Sequence, residues 1–88
     1  MTVRHNPSAN RFELEKDGLL AVLEYYRVGK KLIFTHTGVP PALQGQGLGS
    51  RLVRAGLDYA RTNSLTVVPL CPFVGAYIRK HPEYQDLA

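Results

Sequence analysis

One stretch of this 88-residue chain has the composition of an anion cradle. Gln44-Gly45-Gln46-Gly47-Leu48-Gly49-Ser50 alternates glycine with other residues just before a segment of helical periodicity. Without Cβ atoms, backbone N–H groups can converge on one point. A helix start adds unpaired N–H donors and the positive end of a dipole. Together these suit a phosphate or pyrophosphate, although the same composition also serves as a plain flexible connection. The Walker A pattern is not met, because the loop has no lysine and the spacing differs. Nor is the dinucleotide fingerprint, because Ser50 stands where its third glycine would be. Two side chains elsewhere could do covalent or proton chemistry. Cys71, the single cysteine, is a nucleophile if its thiol, of ordinary pKa ~8.5, is activated by a base or a helix N-terminus. It is a small buried hydrophobe if not. His36 is of the residue type that serves as a general base, or is a satisfied core histidine. His5 and His81 read as structural or solvated, and one cysteine excludes every multi-cysteine zinc site; no metal is expected.

The elements that must hold these groups are legible from periodicity. Arg11 to Lys16 alternates, with Phe12 and Leu14 on one side, and Asp17-Gly18 is a tight-turn dipeptide. Leu19 to Val28 reads as a second strand. After Gly29-Lys30, Lys31 to Thr37 reads as a third, placing Leu32, Phe34 and His36 on one face and Ile33, Thr35 and Thr37 on the other. Pro40-Pro41 ends the sheet signal. From Gly47 to Thr62 apolar and charged residues separate at helical spacing, with Leu48, Leu52, Gly56 and Ala60 opposite Arg51, Arg54, Asp58 and Arg61. Leu65 to Leu70 is a short apolar run in which Pro69 cannot donate to a ladder. Phe73 to Lys80 reads as a second, short helix. The expected fold class is α+β: an antiparallel three-stranded meander, a β-α-β crossover and a short C-terminal helix. One domain is expected over residues 11–88, with residues 1–10 as a flexible leader and 83–88 as a short tail.

Gln44-x-x-Gly47-x-Gly49 resembles the Gln/Arg-x-x-Gly-x-Gly/Ala loop of the GCN5-related N-acetyltransferase superfamily. His36-Thr37-Gly38-Val39-Pro40-Pro41 before the loop, and Cys71-Pro72-Phe73, Tyr77-Ile78 and His81-Pro82-Glu83-Tyr84 after it, are similar to its small single-domain branch. The resemblance runs from Phe12 to Tyr84. It implies a sheet that splays between its third and fourth strands, with acetyl-CoA in the resulting V. The pyrophosphate would meet the backbone of Gln44, Gly45, Gln46, Gly47, Leu48, Gly49 and Ser50, and the pantetheine arm would bond near Thr37 and Val39. Cys71 would lie near the thioester, with Cys71 and His36 as the catalytic candidates. Two departures stand out. The tyrosine that many relatives use as a proton donor would fall nearer Ile78 than Tyr77, and Gly38 occupies a position often held by glutamate.

The implied activity is transfer of an acetyl group from acetyl-CoA to an amine, on a small molecule or a protein. The resemblance leaves open a non-catalytic CoA-binding module that needs neither His36 nor Cys71. A small basic nucleic-acid-binding domain is the other reading, suggested by 11 Lys and Arg against 7 Asp and Glu, a net charge of +4. The basic residues are not clustered with aromatics, which argues against it. No signal peptide or membrane span is legible, so a cytoplasmic protein with no membrane partner is expected.

Overall fold

The computed structural model describes residues 2–88. Five strands form one sheet in the order β1-β2-β3-β4-β5: β1 Arg4–Asn6, β2 Arg11–Lys16, β3 Leu19–Val28, β4 Lys31–Gly38 and β5 Thr66–Pro69. The first four are antiparallel neighbours and β5 runs parallel to β4. The meander and the crossover are those expected from the sequence. Asp17 and Gly18 both take positive φ, 53° and 73°, which lets two residues reverse the chain between β2 and β3.

The crossover helix α1, Leu48–Thr62, buries Leu48, Gly49, Leu52, Val53, Gly56, Leu57 and Ala60. Gly56 sets how near the helix lies to the sheet: a Cβ there would stand 2.9 Å from both Leu23 Cδ2 and Phe34 Cζ. The second helix α2, Pro72–Lys80, adds Val74 and Ile78 to the same core, which also holds Phe12, Leu14, Leu23, Leu32 and Phe34. The core thus lies on one face of the sheet. On the other face Tyr26 and Val28 are 61% and 63% exposed, and among the described residues its one buried side chain is Glu13.

Two terminal segments are more structured than the sequence suggests. Part of the expected leader is β1, followed by a 3-10 turn at Pro7–Ala9. Its polar residues find a partner that periodicity does not show. Arg4 and Asn6, with Arg11, donate to the carboxylate of Glu13, and the His5 ring stacks on Phe12 at 4.2 Å. The expected tail is a 3-10 helix, Pro82–Leu87, that buries Tyr84 and Leu87. Tyr84 Oη donates to Asp58 Oδ1 at 2.6 Å, and Arg61 pairs with Asp86 at 3.0 Å. Among the described residues no helix is long and apolar enough to cross a membrane.

Candidate functional site

The site begins with one extra residue in β4. Glu24 pairs with His36, but Tyr25 pairs with Phe34, so Thr35 has no cross-strand partner. Such a bulge reverses the alternation of side chains beyond it. Thr37 therefore stands opposite Leu23 on the covered face, while His36 stands opposite Glu24 on the uncovered one and is exposed. This corrects the faces expected from simple alternation, which put His36 with Leu32 and Phe34. The His36 ring folds over Gly38, where a Cβ would come within 3.1 Å of Nε2. The absence of a side chain at Gly38 thus makes room for the ring.

Beyond Phe34 the sheet opens. β4 and β5 pair from Lys31↔Thr66 to Phe34↔Pro69, and Thr35–Gly38 pair with β3 alone or not at all. Pro69 ends the ladder, as its missing N–H requires. The next bond to β4 comes from the Cys71 N–H to the Phe34 carbonyl at 2.9 Å, with Leu70 looped out between them. A cavity of about 340 Å³ lies where the strands part, walled by Thr37, Val39 and Leu43 on the strand side. Gln44, Gly45, Gly47 and Gly49 form its loop side, and Phe73 closes it from α2. The loop conformation needs its glycines: Gly45 and Gly47 have φ of 83° and 76°, and Gly47 is the left-handed residue that caps α1. The Gln44 amide donates to the Val39 carbonyl at 3.1 Å and ties the loop to the strand end. Gly49 lies under Phe73, whose ring would stand 3.0 Å from an added Cβ.

Cys71 is the N-cap of α2 and is 6% exposed. Its Sγ lies 3.4 Å from Thr37 Oγ1. Burial is the largest single influence on the thiol and pushes its pKa up. The hydrogen bond from Thr37 and the backbone N–H groups of Val74, Phe73 and Thr37 outweigh it, and the net direction is down. The amides of a helix's first turn are free to do this because they have no intrahelical acceptor. The thiol so held touches Thr37, which lines the apolar cavity, while Cys71 itself is not among the lining residues.

Of the expected site residues, Thr37, Val39, Gln44, Gly45, Gly47 and Gly49 line the cavity, Cys71 touches Thr37, and Gln46, Leu48 and Ser50 are not among the lining residues. Within the loop Leu48 points into the core, so only its backbone can face the cavity, and Ser50 is exposed. His36 is on the opposite face of the sheet. Tyr77 stacks on His81 at 3.8 Å, has its ring centroid 6.1 Å from that of Tyr84, and is not among the residues lining the cavity. Leu43 and Phe73 are wall residues that the sequence reading did not single out. The packing of Phe73 on Gly49 joins two helices and leaves no signal in local periodicity.

A family model for the GCN5-related N-acetyl-transferase matches residues 11–87, and the chain belongs to that family. Protein NATD1 of Mus musculus is 32% identical over 88 residues, covering 97% of this chain and 80% of its own. The Homo sapiens protein of the same name is also 32% identical, with 78% of its length covered. The NMR solution structure of a GCN5-like protein from Staphylococcus aureus superposes with a TM-score of 0.76 at 31% identity, covering 98% of this chain and 85% of that one.

Proposed function

We propose that this protein is an acetyl-CoA-dependent N-acetyltransferase in which Cys71 accepts the acetyl group. The observation that carries the reading is the hydrogen-bonded Cys71–Thr37 pair beside a cavity whose far wall is the glycine loop. The residues fit the ligand. An apolar channel between Thr37, Val39 and Phe73 suits a pantetheine arm, and the left-handed glycines at the start of α1 suit its diphosphate. The Cys71 thiolate attacks the thioester carbonyl, a new carbon–sulfur bond forms, and CoA leaves as its thiolate, which takes up a proton. An amine then attacks the acetyl-Cys71 thioester, an amide forms, and the Cys71 thiolate is released. The acceptor enters from the uncovered face, through the gap where β4 and β5 have parted. His36, exposed on that face, takes the amine proton.

Calorimetric titration with acetyl-CoA and CoA at low salt tests the binding half. Incubation with acetyl-CoA without amine, followed by peptide mass spectrometry, tests the covalent half. The expected results are saturable binding and acetylation on Cys71 that disappears when amine is added. No binding overturns the whole reading. Binding with no acetyl-Cys71, and with turnover unchanged in Cys71→Ala and His36→Ala, leaves only a CoA-binding module.

A further inference from the structure

The geometry points to Lys16, at the tip of the β2–β3 hairpin, as the side chain that pairs with the phosphates of a CoA ligand seated in the 44–50 loop. The inference rests on the reading of that loop as the CoA site. Residues 39–50 contain no charged side chain. The N-terminus of α1 supplies only about half a positive charge and the first cation along the chain is Arg51 of α1, so a cation from another element would add to the charge that faces a diphosphate there. Two independent features bring Lys16 to it. Its Nζ donates to Gln46 Oε1, a contact across 30 residues of sequence. The sheet register requires the same neighbourhood. The last residue of β4, Gly38, pairs with Val22, and Val22 pairs with Glu13, so Lys16 lies three residues, roughly 10 Å, beyond the end of β4. It shares its face with Phe12 and Leu14, the face that α1 covers. β2 and β4 run in the same direction, so this overhang is at the end of the sheet where α1 begins. The hairpin tip is fixed by the two left-handed residues Asp17 and Gly18. A phosphate in the loop would exchange the neutral Gln46 amide for a charged partner, which is the stronger hydrogen bond for an ammonium group.

The test compares the unsubstituted protein with Lys16→Met, Lys16→Arg and Lys16→Glu by calorimetry. CoA and 3′-dephospho-CoA are the ligands, at low salt and at an ionic strength of about 0.5 M. Thermal melts check that each variant is folded. Lys16→Met is expected to weaken CoA about tenfold at low salt. Lys16→Glu should weaken it further, Lys16→Arg should stay within about threefold, and the deficits should shrink as salt screens the charge. An equal deficit with 3′-dephospho-CoA assigns the contact to the diphosphate, and a vanished one assigns it to the 3′-phosphate; either supports Lys16. CoA affinity unchanged in Lys16→Met and Lys16→Glu overturns the inference, as does a deficit that salt leaves untouched. Failure of the unsubstituted protein to bind CoA overturns instead the reading on which the inference rests.

Discussion

Thr37 and Cys71 are 34 positions apart in sequence, and the proposed chemistry depends on their contact. Removing the hydroxyl in Thr37→Val should raise the Cys71 pKa, because one of the bonds opposing burial is lost. Thiolate ultraviolet absorbance followed against pH should show the midpoint moving up, with no change in fold; a fixed midpoint would mean that the helix amides alone hold the thiol. Glu13 gives a second test. Hydrogen bonds from Arg4, Arg11 and Asn6 hold its pKa at about 2, below the ordinary 4.5. A carboxylate depressed in this way contributes stability that is complete above pH 4.5 and lost as pH falls toward 2. Thermal midpoints should therefore decline across that window, and Glu13→Gln should flatten the decline while lowering stability at neutral pH. At this scale the sequence is informative about type more than about environment. Cys71 is readable as the cap of a following helix. The charge-paired burial of Glu13 is not, since alternation alone puts it among solvated residues.

The elements follow from periodicity almost throughout, because Phe12-x-Leu14 and the spaced leucines of α1 state which side meets the core. What periodicity cannot state is a change of count. The bulge at Thr35 carries no glycine or proline to announce it, and it exchanges the faces of His36 and Thr37. Deleting Thr35 should leave a regular ladder in which His36 still pairs with Glu24 and Thr37 still pairs with Leu23, so the Thr37 hydroxyl stays beside Cys71; a Cys71 pKa raised as far as in Thr37→Val in a folded deletion variant would refute that account. The loop Gln44 to Ser50 is legible as an anion site, yet its far wall is not, because Phe73 belongs to a different helix. Gly49→Ala should push the Phe73 ring into the cavity and weaken CoA binding. Phe73→Ala in the same chain should restore part of that loss, which calorimetry on the double variant would reveal. Gly56→Ala acts on stability instead. It crowds Leu23 and Phe34 and should cost about 1–3 kcal/mol in denaturant titrations.

For the molecule as a whole, strand order in the sheet repeats strand order in the chain. The first four strands can pair by successive hairpins, each closing a short loop. Joining β5 to β4 must wait for a much longer closure, with α1 lying between. Contacts that close long loops are slow to form. The expected sequence of events is a meander assembled early and a β4–β5 pairing completed late. Val67→Ala, on the late-joining strand, should accelerate unfolding more than it retards folding in chevron experiments, whereas Leu32→Ala, on a strand of the early meander, should retard folding as well. The cleft is bounded by this last junction. A molecule bound across the parted strands would therefore be a kinetic clamp: it would act after the transition state, lengthening the life of the native protein while leaving its rate of formation nearly alone.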